Sequence, residues 1–216
     1  MINTKELAGA YMTSARTIFL DDGTVDPVVA FHGGPTSLLV ELRPHPEFHP
    51  SDQAVSITYA FSIVLEATHV VAVNETWMRK FGLHEASPRS LERGQLQRMH
   101  QDGDTNVHTA ILVIAADLAH HENSYVLTRD VDQDGLEEDS EGWNERDLNL
   151  GSGSYLDRLL DAWAQGKEAA KGAPPGGGWE IVAGILAMKG MISSVVRFGP
   201  REEVDEVMRR VKAGQN

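Results

Sequence analysis

The chain reads as an α/β or α+β sandwich: one main domain built on a mixed sheet with helices packed on it. Three observations predict this. The run His69-Val70-Val71-Ala72-Val73-Asn74-Glu75-Thr76-Trp77-Met78 has the length and β-branching of a strand buried on both faces. Val107, Thr109, Ile111 and Val113 alternate with His108, Ala110, Leu112 and Ile114, the pattern of a strand passing from half to full burial. Helix-spaced apolar sets then fall between and after these strands, at Ile57, Ala60, Phe61, Val64 and Leu65 and again at Leu156, Leu159, Leu160 and Trp163. The order of elements is irregular, so a repeating βαβ series is not expected.

Taken in order, residues 4–16 place Leu7, Ala10, Tyr11 and Ser14 on one helical face, with Thr4 as cap. Asp21-Asp22-Gly23 is a turn, and a strand follows from Val25 to Phe31. Gly33-Gly34-Pro35 turns the chain back into a second strand, Ser37 to Leu42. Prolines 44, 46 and 50 interrupt regular structure, and Ser51 is the expected N-cap of the next helix. Tyr125 to Thr128 is the hairpin partner of the 107–114 strand. Ser154 and Asp157 have capping-box spacing before the Leu156–Trp163 stripe. Residues 1–150 are expected to form the main domain, with an acidic loop at 130–145. Residues 151–216 are expected to add a helix, a Gly/Pro linker at 172–178 and a tail packed on the same domain. Within that tail, 179–198 suits either helix or strand, and Pro200 opens a last helix.

Composition narrows the function classes. There are no cysteines among the 216 residues, which removes disulfides, Fe–S clusters and thiolate zinc sites and fits a cytoplasmic protein. No apolar run reaches the roughly 20 residues of a membrane span, and the first residues lack a signal-peptide pattern. The net charge is −13. Asp130 to Glu145 holds eight acidic residues and no Lys or Arg, so that segment carries −8 and the remainder −5. Arg89, Arg93 and Arg98, with Glu92 among them, are too sparse a basic patch for phosphate-driven nucleic-acid binding.

Several motifs carry candidate chemistry. Asp130, Asp132, Asp134, Gly135 and Glu141 satisfy the calcium-loop pattern D-x-[DN]-x-[DN]-G-x5-E. Glu137 replaces the usual apolar anchor, and the preceding segment reads as strand where an EF-hand enters from a helix. Phe31-His32-Gly33-Gly34 has the form of an esterase oxyanion loop, but the chain contains no G-x-S-x-G nucleophile turn. His45-Pro46 and Ser51 resemble part of the JAMM-type zinc metalloprotease motif, although Arg43 stands at its first histidine and the spacing is too short. Asn74, Glu75 and Trp77, at the carboxyl end of the valine-rich strand, are the expected ligand or partner contacts. Glu75 with Asp117 and His32 is the candidate set for carboxylate-based, metal-assisted hydrolysis.

The segments Asp22-Gly23-Thr24-Val25-Asp26-Pro27-Val28-Val29 and Val73-Asn74-Glu75-Thr76-Trp77 resemble a loose group of uncharacterised bacterial and phage proteins. Those proteins share an aspartate-glycine turn, a V-x-P-V-V strand and a valine-rich strand ending in S-E-A-W. Asn74 and Thr76 depart from that pattern. The resemblance covers about the first 130 residues and implies a cytoplasmic α/β domain with no established activity. Together these features point to a non-catalytic binding protein with a protein partner and no cofactor, homo-oligomerisation being left open. The alternatives are a metal-assisted hydrolase or nuclease and a calcium-stabilised module.

Overall fold

A computed structural model describes residues 2–34, 37–42, 48–79, 95–132, 135–136, 140–143, 154–174, 177–189 and 192–198. Among these the chain runs α1 (Thr4–Asp22), β1 (Val28–His32), β2 (Ser37–Leu42), α2 (Pro50–Ser62), β3 (His69–Arg79), α3 (Gln95–Gln101) and β4 (Val107–Asp117). A 3-10 turn (His121–Asn123), β5 (Tyr125–Asp132), β6 (Gly135–Leu136), β7 (Ser140–Trp143), α4 (Tyr155–Lys171), α5 (Gly178–Lys189) and β8 (Ile192–Phe198) follow. The strands form one sheet in the order β6-β5-β4-β3-β1-β2-β8, and β7 also pairs with β5.

Helices packed on a sheet in one domain are what the sequence predicts, but each described pairing is antiparallel where a mixed sheet was expected. The reason lies in the path of α2. It carries the chain from β2 across to β3, as a βαβ crossover would, but β1 lies between those strands and is antiparallel to both.

The valine-rich run fills the centre of the sheet. Val70, Val71, Ala72 and Val73 are all buried, Val70 and Ala72 toward one face and Val71 and Val73 toward the other. Alternate residues of a strand point to opposite faces, so a run apolar at every position needs cover on both. α1 covers one face through Ala8, Met12 and Ala15, packed against Ala30, Ile111, Val113 and Ala115. On the other face α2, α4 and α5 bury Ile57, Phe61, Leu156, Leu159, Trp163 and Val182 over Val29, Phe31 and Val40. Each such side chain contributes roughly 1.5–3 kcal/mol when fully buried. The C-terminal helices thus belong to the same core as the first strands, and β8 pairs with β2.

Several local expectations are corrected. Asn3, not Thr4, caps α1, accepting from the N–H groups of Lys5 and Glu6. The buried stripe of α1 is Thr4, Ala8, Met12 and Ala15, while Ala10 and Ser14 are exposed, because the helix runs on to Asp22 and presents its small residues to the sheet. His49 caps α2 in place of Ser51, its Nδ1 accepting from the Ser51 N–H at 3.2 Å, with Pro50 at the first helical position. The 130–145 segment is not wholly loop. β6 and β7 both pair along β5, which supplies backbone partners to an edge that would otherwise be open. Of residues 179–198, those to Lys189 are helix and those from Ile192 are strand. Ser154 caps α4 as its spacing predicts, accepting from the Asp157 N–H at 3.1 Å. The helix expected after Pro200 lies outside the described residues. No helix among the described residues is long and apolar enough to cross a membrane.

α4 and α2 meet closely at Gly166. A Cβ there would stand 1.7 Å from Ser62 Oγ and 2.4 Å from the Tyr59 carbonyl oxygen. An Arg158–Asp52 ion pair joins the same two helices, and Lys167 Nζ donates to the Leu65 carbonyl at 2.6 Å, just past the end of α2. Gly166→Ala is therefore expected to destabilise the fold by about 1–3 kcal/mol despite alanine's better helix propensity, because the clash is with backbone. Urea denaturation should show a lower midpoint at unchanged slope.

Candidate functional site

Three titratable residues stand at strand ends: His32 closes β1, His69 opens β3 and Asp117 closes β4. The antiparallel register sets His32 opposite His69 and His69 opposite Asp117. Directly opposed residues share a face of the sheet, with Cβ atoms roughly 4.5–5.5 Å apart. The three side chains therefore form one transverse row. Ala30, Val71 and Ala115, two residues away on each strand, belong to the cluster under α1, so the row lies on that face.

The beginning of α1 closes over it. Thr4 Oγ1 is 3.2 Å from His69 Nε2, and the Tyr11 hydroxyl is 2.8 Å from His32 Nε2. Thr68 Oγ1 is 2.8 Å from the other ring nitrogen of His69. Two glycines permit this. Gly33 has φ +83° and lies so near Thr68 that a Cβ would fall 1.8 Å from its hydroxyl, while a Cβ on Gly34 would fall 1.5 Å from the Glu66 carbonyl oxygen. The β1–β2 turn thus rests on the segment entering β3, which accounts for the Gly33-Gly34 pair without an oxyanion loop.

Asp117 is held from its own side. Its Oδ1 accepts from the N–H groups of Ala119 and His120 at 3.0 and 2.9 Å, and its backbone N–H donates to Ser124 Oγ at 3.1 Å. Oδ2 faces His69 Nε2 at 3.9 Å. Beside this row opens a cleft of about 890 Å³, lined in part by Asn3, Thr4, Thr68, His69, Asp117 and Tyr125.

Burial lowers the pKa of His69, with the Asp117 charge opposing the shift. His32 is lowered as well, first by burial and then by repulsion from His69. Burial raises the Tyr11 phenol to about 12. The row therefore holds neutral imidazoles and a protonated phenol near neutral pH. Thr68 and Asp117 face opposite ring nitrogens of His69, but the carboxylate stands 3.9 Å from Nε2, beyond hydrogen-bond reach, and Thr4 takes that nitrogen instead, so the hydrogen-bonded nucleophile–base–carboxylate relay is not in place. Among the described residues no group of three or more His, Asp and Glu converges on a point where a metal could sit.

The predicted site residues are separated. His32 and Asp117 share the row, but with His69 between them. Glu75 lies six residues along β3, roughly 20 Å away at strand rise, where its Oε2 accepts from Thr24 Oγ1 at 3.4 Å. Asn74 is buried on the opposite face, its Nδ2 donating to the Glu75 carbonyl at 3.3 Å while its Oδ1 has no partner among the described residues. Trp77 stands opposite Thr109 on β4, and its side chain lies outside the described residues. Asp130 and Asp132 belong to β5 and Glu141 to β7, Asp134 lies outside the described residues, and the segment is entered from a strand. His69, Thr4, Thr68 and Tyr11 are the members that the sequence did not single out. Polar titratable residues at the ends of apolar strands were the available signal, and only the register brings them together. No protein family, curated protein or solved structure matches this chain.

The histidines give the fold a pH dependence of definite sign. Their folded pKa values lie below 6.5, so the unfolded chain binds more protons as pH falls through about 6.5. This contribution to stability is complete above that pH and is lost below it. The melting temperature should fall between about pH 7.5 and 5.5, and fall less in His32→Gln. Melting curves in matched ionic strength check this; a flat profile would contradict the burial of the pair.

Proposed function

We propose that the chain is a binding protein that receives a small polar ligand in the cleft beside the His32–His69–Asp117 row and does not transform it. The observation that carries this is a cleft of about 890 Å³ whose polar side chains are already fixed by hydrogen bonds within the chain. That volume lies in the range of small-molecule sites, roughly 300–1,000 Å³. Donors and acceptors fixed in advance reduce the entropy lost when a ligand is ordered. Both ring nitrogens of His69 face hydroxyls of the chain itself, an arrangement suited to recognition rather than proton transfer. A cytoplasmic setting is part of the proposal, on the absence of cysteine. The resemblance of the first 130 or so residues adds a bacterial or phage context.

The test is an amide-shift screen of the isotope-labelled chain against sugars, amino acids, nucleosides, carboxylic acids and amines. At least one class should shift Thr4, Thr68 and the 117–125 amides saturably, and the ligand should be recovered chemically unchanged. A screen that leaves those amides unmoved, or returns converted ligand, would refute the proposal.

A further inference from the structure

We infer that this cleft selects a ligand through a positively charged ammonium group, with the Asp117 carboxylate as its counter-ion. The inference rests on the cleft being a binding site, and three observations give the ligand its charge.

The first is the sign of the walls. Asp117, Glu122 and the exposed His120 line the cleft, and no Lys or Arg does among the described residues. Glu122 is largely open to water, with its side chain 56% exposed, whereas that of Asp117 is only 12% exposed. Apart from the Lys5 ammonium over Tyr125, the sheltered charge facing the cleft is therefore that of one carboxylate, which an anionic ligand would meet at close range.

The second is an unmet acceptor. Asp117 Oδ1 is saturated by two backbone N–H groups. Among the described residues Oδ2 meets only the His69 ring, at 3.9 Å, which is too long for a hydrogen bond. Oδ2 is not among the buried atoms without a partner, so it opens on the cleft, where a ligand's donor can take the place of water. Burial lowers the pKa of His69, so the charged donor that suits this oxygen is one that the ligand can bring.

The third is a precedent within the chain. Tyr125 lines the same cleft, and the Lys5 ammonium sits 5.6 Å from its ring centroid. The electron-rich face of a phenol attracts cations. Lys5 is exposed and its stem is flexible, so it can leave that face to a better-placed ammonium.

The experiment titrates the labelled full chain with n-butylammonium, butan-1-ol and butyrate, which share a shape and differ in charge. Butylammonium should shift Asp117, Ala119 and Tyr125 saturably and bind about tenfold more tightly than the alcohol, with no saturable response to butyrate. Asp117→Asn, which keeps the Oδ1 acceptor for the turn, should weaken butylammonium about fivefold. Lys5→Gln should leave it equal or tighter. Nα-acetyl-lysine N-methylamide carries the same ammonium on a peptide; tighter binding than butylammonium assigns the group to a partner's lysine, and weaker binding to a free amine. Equal binding of alcohol and ammonium, saturable binding of butyrate, or unchanged affinity in Asp117→Asn would overturn the inference. If Asp117→Asn does not fold, the isosteric series on the unaltered chain decides alone. Failure of the ammonium assignment leaves hits in the broader screen, whereas failure of the binding site leaves none.

Discussion

The register of β3 against its two neighbours is the constraint on which the rest depends. A strand apolar on both faces cannot slip by one residue without exchanging the contents of its two cores. Here Val71 and Val73 would leave the small-residue stripe of α1, and Val70 and Ala72 would leave the larger core under α2 and α4. Packing thus fixes an alignment that hydrogen bonding alone would satisfy in several ways. The same alignment sets His32, His69 and Asp117 side by side. The site is a by-product of hydrophobic register, and its geometry is as rigid as the core that enforces it.

The two faces of the sheet are covered by different means. One carries three helices and the large side chains Phe31, Phe61 and Trp163, with ring centroids 5.6 and 6.1 Å apart from Phe31 outward. The other carries α1 lying close, because Ala8, Ala15, Ala30 and Ala115 are short. Close approach brings hydroxyls on that helix within reach of strand-end imidazoles; bulkier residues would hold Thr4 and Tyr11 too far away. A thin layer of small side chains is what makes the polar row possible.

Much of the architecture was legible because it follows from local pattern. The valine run, the Gly33-Gly34 turn, the Leu156–Trp163 stripe and the Ser154 cap each declare themselves within a few residues. The short β6 and β7 pairings were not legible, since their acidic residues read as solvated loop and only the open edge of β5 gives them partners. The site was hardest to see. Glu75 is prominent in the sequence because it follows the apolar run directly, whereas His69, at the other end of β3, is the residue that the pairing sets beside His32 and Asp117. Which end of a strand meets which is decided by pairing between distant segments, and no local pattern encodes it. His32 and Asp117 stand out in the sequence as candidates, and the pairing sets them about His69 and far from Glu75.

Thr4 and His69 are 65 residues apart in the chain, and the strand beneath the rest of α1 lies farther along still. During synthesis the helix must wait, its inner stripe uncovered, until β3 and β4 exist to receive it. Contacts between such distant segments form late and slowly. Docking of this helix is therefore the natural closing event of folding, and the polar row comes into being with it. A partly folded chain, however much of its other core it has assembled, would lack the contacts of Thr4 and Tyr11 with the two histidines.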